Sequence, residues 1–475
     1  METAALAALK SRSSSGVELW LLFITWLGLF TLFYATNVGI TCSNDGSQLA
    51  LTKSLLDRNS AELLSEKRFA MRDVALMNDK IFSDRPPGLA VAYGVFHRLT
   101  WGINPSLQAI YVDPFDRGLT RPIKYLIANM MIFPALCGAC TFLAIFALLG
   151  NFSPSFANRY AVSLSFLLGT LALRYSTVFY SHIFTTLLCV LSLVFYLKFL
   201  RSSTRVSLVL ASFLFAYAII TEYIVALAAI PLVLDLVARD RRIKTVLACA
   251  AGVAVPFLFF AVYNWANFGS PFLIAHFFHK SFKYHHHLST TFTLQGLFPH
   301  VRELLFGRQF FSLFYRSPQL TACLLFGAAL SIYKRKATLP RMTPLFMGIF
   351  LIGTISIAAY KGYFGGFDND YRQMLFAVPF ILPFVVVQLD ALSSKWRVLG
   401  LAVYAALSFF ACYLQFGHVR HYGQYPLYSP VMNLQAAIPN LWPFMLIGFL
   451  STILLCRPQF RPRIESLLPA RGQMS

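Results

Sequence analysis

The run ELWLLFITWLGLFTLFYAT (residues 18–36) is followed by a polar stretch that opens with Asn44-Asp45-Gly46 and closes with Asp84-Arg85-Pro86-Pro87-Gly88. The reading of this stretch decides how the rest of the chain is understood. An apolar run of roughly 20 residues is long enough to cross a bilayer as a helix. Carboxylates and a cation held in a loop just outside a membrane are what an enzyme needs to move a group off a lipid phosphate, whereas an anchor or spacer has no use for them. Lys10 and Arg12 precede the run as in a signal peptide. The run exceeds the length of an h-region, however, and no small-residue cleavage site follows, so it reads as a retained first span.

The whole chain carries this character. Of its 475 residues 57% are hydrophobic and only 12% charged, with 47 Phe, a composition of membrane-spanning helices and interfacial belts. The formal charge of +21 sits in short clusters between apolar runs. That placement marks topology and anionic headgroups, not nucleic acid. Cys137, Cys140, Cys189, Cys249, Cys323, Cys412 and Cys456 lie in apolar runs, where a thiol packs as a small hydrophobe. Cys42 alone lies in a polar loop, without an evident partner.

The expected fold is an all-α integral membrane protein of about twelve transmembrane helices, near 18–36, 123–149, 160–177, 183–200, 206–221, 223–238, 245–264, 318–333, 342–360, 374–391, 398–415 and 437–456. A further apolar piece, 88–101, is too short to span and reads as interfacial or re-entrant. Residues 1–17 form an N-terminal tail, 18–456 the polytopic domain and 457–475 a basic C-terminal tail. The basic clusters Lys198/Arg201/Arg205, Arg239/Arg241/Arg242/Lys244, Lys334/Arg335/Lys336/Arg341, Lys395/Arg397 and Arg457/Arg461/Arg463/Arg471 all fall on the side of Lys10 and Arg12. The positive-inside rule makes that side, with both termini, cytoplasmic. Loops 37–122, 265–317 and 361–373 are then outer loops, the first long enough to carry interfacial helices, and a bacterial inner (plasma) membrane is the simplest location. Polar chemistry gathers at this outer face. A transporter more often places ionisable groups at the midplane, in broken helices of two related halves.

Several outer residues are candidates for chemistry. The segment 45–56 reads as a short amphipathic helix on the membrane surface with Asp45 at its start. There the carboxylate serves as a cap, and the same position would present it to a substrate. Asn78-Asp79 reads as a turn, followed by a short extended piece and a rigid Pro-Pro lead into an interfacial helix. Arg85 has the planar fork that grips a phosphate, or else snorkels to headgroups. Asp368, Asp370 and Arg372 follow a Gly-Gly pair, where two carboxylates would hold a divalent cation or form a solvated turn. His182 and Glu222 lie at outer helix ends. His276 and His279 share a face if 271–283 is helical; with His285-His286-His287 they read as a titratable interfacial loop.

The order of span, acidic loop opening, surface helix and acidic-basic-Pro-Pro resembles the C-type (GT-C) glycosyltransferases, multi-spanning enzymes that use a polyprenyl-phosphate sugar donor and include the protein mannosyltransferases and the aminoarabinose transferase of lipid A. Asp45 matches their first-loop catalytic carboxylate. Asp84-Arg85-Pro86-Pro87 is similar to their acidic-Lys-Pro-Pro element, whose cation faces the donor phosphate. This chain departs from the pattern with Arg for Lys, with Gly88 where Leu is common, and with Gly46 where the mannosyltransferases carry a second acid. Gly169 to Ser176 with His182, Thr221-Glu222-Tyr223, Asn264 with Phe268 to Pro271, Tyr315 to Pro318, and Gly365 to Arg372 look like an uncharacterised bacterial branch.

The resemblance implies inverting transfer with Asp45 as general base, Arg85 and Arg372 on the donor phosphate, and Asp84, His182, Glu222, Asp368 and Asp370 as substrate-binding residues. Base assistance is worth about 10²–10⁴ in rate. The partners would be a polyprenyl-phosphate-linked sugar, membrane lipids, and an acceptor that is protein, lipid or glycan. A divalent cation is compatible with the sequence and not required by it. The competing readings are a transporter or flippase of lipid-linked sugars and a non-catalytic membrane scaffold.

Overall fold

The computed structural model describes residues 2–37, 39–100, 111–112, 121–307, 312–321, 338–363, 370–392, 394–423 and 429–430. The main helices are α1 (Glu2–Ala35), α2 (Ser43–Arg58), α3 (Gly88–Thr100), α4 (Arg121–Leu149), α5 (Phe156–Gly169), α6 (Ser181–Ser202), α7 (Arg205–Thr221), α8 (Val225–Arg239), α9 (Ile243–Phe268), α10 (Leu297–Phe306), α11 (Thr338–Ala359), α12 (Leu382–Ala391) and α13 (Ser394–Gly423). Among the described residues six stretches are long and apolar enough to cross a membrane: Gly16–Ala35, Asn129–Leu149, Ser181–Ser202, Ile243–Phe268, Arg341–Ala359 and Arg372–Ala391. Arg205–Thr221 and Ala402–Gln415 are shorter apolar helices. This is a multi-pass membrane protein. The expected span 437–456, the tail 457–475 and nearly all of 318–333 lie outside the described residues.

Helices α4 and α6 run through the centre, with α1 packed on α4, α7 on α6, α9 on α7 and α8 on α11. Trp20 and Ile24 of α1 and Leu247 and Leu258 of α9 are exposed, as lipid-facing residues are. Two expected spans are broken. The run 160–177 stops as α5 at Gly169, and a single helical turn, Ala172–Tyr175, follows. The break is held by cross-links: Ser317 Oγ donates to Gly169 O at 2.6 Å, and Tyr371 Oη accepts from Leu171 N at 3.1 Å. The run 374–391 begins as a 3₁₀ helix, Arg372–Ile381, and turns α-helical only as α12. Pro379 and Pro383 remove two backbone donors there, which disfavours a continuous α-ladder.

Contacts define two ends of the bundle. At one, Tyr196 Oη donates to Asp235 Oδ2 at 2.6 Å, Arg239 Nε meets the same oxygen at 2.8 Å, and Arg239 Nη2 donates to Arg341 O at 3.0 Å. These bonds tie α6, α8 and α11 together beside the exposed Lys198, Arg201, Arg205, Arg241, Arg242 and Lys244.

At the other end the first polar loop folds into a cap. Its hairpin β1 (Val74–Met77) and β2 (Lys80–Ser83) pairs Val74 with Ser83 and Met77 with Lys80. Asn78 and Asp79 turn it with φ of 49° and 60°, which short polar side chains tolerate. Helix α2 forms where the sequence suggests, but it is no surface helix: residues Asp45 to Thr52 and Ser54 are buried. The segment after it, the turn Lys67–Ala70, the hairpin and α3 all pack over it. Ser54 Oγ fastens the turnback, 2.7 Å from Ser60 O and from Glu62 O. The stretch 271–283 is not a helix. A 3₁₀ turn, Ala275–Phe278, gives way to β-bridging of His279 with Ala75, and Lys280 N donates to Val74 O at 2.9 Å. The hairpin edge thus takes the backbone groups a helix would have used.

Helix α3 wedges its N-terminus against the end of α7. Tyr217 Oη donates to Gly88 O at 2.9 Å, and a Cβ at Gly88 would lie 2.5 Å from Thr221 Oγ1 and 2.7 Å from Ile220 O. A larger residue has no room at this contact, which accounts for Gly88. Gly88→Ala should therefore destabilise by about 1–3 kcal/mol, the range for overpacking a closed contact. Thermal unfolding in detergent checks this, with a lowered midpoint expected.

Candidate active site

Asp45 stands at the third position of α2 and closes a capping box with Cys42. Its Oδ2 accepts from Thr41 N at 2.6 Å and Thr41 Oγ1 at 3.0 Å; its Oδ1 accepts from Cys42 N at 2.9 Å and Gly46 N at 3.0 Å. The side chain is fully buried. Burial pushes its pKa up to about 6, against the hydrogen bonds of Thr41 and Cys42 and the charge of Arg174, which pull it down. Gly46 explains the missing second acid: a Cβ there would fall 2.1 Å from Phe69 O. An acidic pair at this helix start is sterically excluded.

Ser47, one turn-step along α2, joins this helix start to the Asp84 segment. Its Oγ lies 2.7 Å from Asp73 O, 2.7 Å from Ser83 Oγ and 3.3 Å from Asp84 Oδ1. Arg85 pairs with Asp73 through Nη2, and its Nε lies 3.2 Å from Asp84 Oδ1. His279 Nε2 stands 3.4 Å from Asp84 Oδ2. Burial alone would raise Asp84, but the Arg85 charge and His279 hold its carboxyl well below the usual range. His276 and His285 pack at 3.9 Å between ring centroids beside Tyr360. Burial lowers their pKa values to about 4 and about 2, so both are neutral at neutral pH. Of the histidines expected in an interfacial loop, His279 and His285 are buried and His276 is half-buried, while His286 and His287 are exposed.

The second cation comes from the start of the 3₁₀ helix. Asp370 Oδ1 accepts from Arg372 N at 3.0 Å and lies 3.5 Å from Arg372 Nη1, while Asp370 Oδ2 accepts from Tyr175 Oη at 2.6 Å. The Arg372 guanidinium lies over the Tyr180 ring at 5.8 Å. Tyr180 Oη in turn lies 2.7 Å from Cys42 Sγ, the residue whose backbone holds Asp45. His182 and Glu222 meet at 2.7 Å, Nδ1 to Oε1, and the His182 ring packs edge-on to Tyr175 at 4.9 Å. Tyr360 feels both the Arg85 and the Arg372 charges, after a larger upward push from its burial.

The expected residues Asp45, Asp84, Arg85, His182, Glu222, Asp370 and Arg372 therefore gather at one end of the bundle; Asp368 lies outside the described residues. Asp370 is taken up by Tyr175 and Arg372. Of the described residues, Asp73, Asp84 and His279 place metal-ligand atoms within 4.8 Å of one another. Asp84 Oδ2 and His279 Nε2, which face each other at 3.4 Å, would be the ligating atoms of those two residues. The carboxylate of Asp73 and the other oxygen of Asp84 are held by Arg85. Asp73, Tyr175, Tyr180 and Tyr360 were not foreseen. The two tyrosines just ahead of His182 carried a signal, since aromatics at a break between spans line a polar site. Asp73 had none.

No protein-family model and no curated protein sequence matches the chain. Solved structures do. The chain is similar to ArnT from Cupriavidus metallidurans bound to undecaprenyl phosphate, at 13% identity over 92% of this chain and 74% of that one, with a TM-score of 0.53. It is also similar to the Archaeoglobus fulgidus oligosaccharyltransferase in its apo form, at 14% identity over 86% of this chain and 56% of that one, TM-score 0.53. The same archaeal enzyme tethered to an acceptor peptide containing the NVT sequon gives 13% identity over 86% and 55%, TM-score 0.52. The chain thus spans little more than half the length of the oligosaccharyltransferase. At these identities the likeness shows the fold, which is the GT-C fold expected from the sequence.

A carboxyl raised from 3.8 to about 6 binds its proton more tightly in the folded protein. Its contribution to stability is therefore full below pH 4 and is lost as pH rises through 6. Infrared difference spectra of wild type against Asp45→Asn should show a protonated-carboxyl band bleaching with a midpoint near pH 6. A midpoint near 4 would contradict the buried, dry setting of Asp45.

Proposed function

We propose that this protein is a membrane glycosyltransferase that moves a sugar, with inversion, from a polyprenyl-phosphate donor to an acceptor hydroxyl. The observation that carries the reading is the pair of guanidiniums, Arg85 and Arg372, each anchored by carboxylate and both close enough to Tyr360 to act on it, at one end of an apolar bundle. A lipid phosphate at a bilayer surface presents paired anionic oxygens that a planar guanidinium grips. The leaving polyprenyl phosphate gains negative charge as the glycosidic bond breaks, and preorganised cations stabilise it at that moment. The likeness to ArnT bound to undecaprenyl phosphate and to an oligosaccharyltransferase tethered to an acceptor peptide supports the same donor class.

Asp45 enters as the catalytic carboxylate. At neutral pH it is ionised in a water-poor setting, where a fixed negative charge acts strongly on a developing oxocarbenium ion. The general-base role expected for it requires one of its four donors to leave, and Thr41 Oγ1 is the one side-chain donor among them. The clusters Lys198/Arg201/Arg205 and Arg239/Arg241/Arg242/Lys244 lie at the opposite end of the bundle, which supports cytoplasmic termini and a site on the outer face of the inner or plasma membrane. A divalent cation on Asp84 and His279 would add charge beside the phosphate, and Arg85 and Arg372 act without it. The acceptor is a protein, lipid or glycan hydroxyl.

The purified protein should transfer radiolabelled sugar from a polyprenyl-phosphate-sugar pool; sugar crossing a liposome without a new glycosidic bond would mark a transporter instead. Arg85→Ala and Arg372→Ala should each weaken undecaprenyl phosphate binding about 10- to 100-fold, the loss of one charged hydrogen-bonding partner. Calorimetry in detergent measures it, and unchanged binding in both variants would remove the donor site proposed here.

A further inference from the structure

We propose that His182, oriented by Glu222, is the base that takes the acceptor's proton, and that Asp45 remains the fixed negative charge beside it. This rests on the transferase reading and assigns the proton within it. A base needs a free lone pair aimed at the reacting hydroxyl. Asp45 accepts four hydrogen bonds, three from backbone N–H groups that cannot rotate away. Two oxygens offer about four acceptor sites, so its capacity is full.

His182 is in the opposite condition. Its Nδ1 lies 2.7 Å from the Glu222 carboxylate, which sets the proton on Nδ1 and leaves the lone pair on Nε2. Both ring nitrogens lack a well-aligned hydrogen bond among the described residues, on a residue only 7% exposed, and Nε2 is the one not set against Glu222. A buried imidazole nitrogen with nothing to bind is costly unless a substrate hydroxyl completes it. Its place also fits. The ring is fixed between Tyr175 at 4.9 Å and Tyr180 at 5.8 Å. Tyr175 holds Asp370 of the Arg372 clamp, and Tyr180 touches Cys42 of the Asp45 box, so the imidazole packs on the two rings that reach the cation and the carboxylate. Glu222 stabilises the imidazolium once it forms and offsets the positive end of α6, on whose first turn His182 stands.

The step balances as follows. The acceptor O–H bond breaks and its hydrogen goes to His182 Nε2. The freed oxygen pair forms the bond to the anomeric carbon, and the bond from that carbon to the phosphate oxygen breaks with its electrons on the phosphate. Polyprenyl phosphate leaves paired to Arg85 and Arg372, and the imidazolium returns its proton to water. Glu222 acts through His182 and is a positioning residue.

The test uses the full-length protein in detergent with a radiolabelled polyprenyl-phosphate-sugar pool. His182→Ala should lower kcat by about 10²–10⁴ while undecaprenyl phosphate binding stays within twofold of wild type. Added imidazole should restore transfer in His182→Ala and do nothing for Asp45→Asn. Glu222→Gln, which keeps shape and folding contacts, should lower kcat with little change in KM. Transfer within threefold of wild type in His182→Ala, or a loss that imidazole leaves unmoved, overturns the base assignment. Absence of transfer by the wild-type protein overturns the transferase reading itself.

Discussion

Charge buried at the end of an apolar bundle must be paired, and that requirement organises this molecule. Moving an isolated carboxylate or ammonium into a dry interior carries an idealised penalty of about 20 kcal/mol, still several kcal/mol after relaxation. The ionised groups of the candidate site accordingly have partners, several of them near neighbours in sequence. Asp73 and Asp84 share Arg85, Asp370 holds Arg372, Glu222 meets His182, and Asp45 takes the free donors that open α2. Tyrosine hydroxyls join these pairs across more than a hundred residues: Tyr180 Oη meets Cys42 Sγ and Tyr175 Oη donates to Asp370 Oδ2, linking the first polar loop to the 3₁₀ helix at Arg372.

Pairing also preorganises the site. A cation held by carboxylates and laid over an aromatic ring has little freedom left to lose when a phosphate arrives. The same network makes the first polar loop part of the core. Helix α2, whose sequence has the look of a surface helix, is enclosed by the hairpin, the Lys67–Ala70 turn and α3. Its buried start holds Asp45 in a fixed place, which a helix floating on headgroups would not do. Two glycines permit this enclosure: Gly46 lets Phe69 O approach α2, and Gly88 lets α3 approach the end of α7.

Much of this was legible from residue order. The spans were marked by apolar runs of bilayer length, the hairpin turn by Asn78-Asp79, and the break between α7 and α8 by Thr221-Glu222. The candidate residues were visible as rare charges near span ends. Where reading along the chain failed, a distant segment had supplied the deciding hydrogen bonds. The 160–177 run looks continuous until Ser317 and Tyr371 bind its backbone at Gly169 and Leu171. The 271–283 stretch looks helical until Val74 accepts from Lys280. Asp73, an unremarkable loop acid, becomes a partner of Arg85 only through the fold of the hairpin.

Composition, the length of the apolar runs and the placement of basic clusters by themselves determined that this chain is a multi-pass helical membrane protein with its polar chemistry at one end. Those properties depend on how many apolar residues stand in a row and where charge interrupts them, which local order records. Tertiary structure alone decided which charges meet, which carboxylate is saturated and which imidazole nitrogen is left open. Such pairings are set by low-dielectric contacts between segments remote in sequence, and their energy depends on distances that no local pattern encodes.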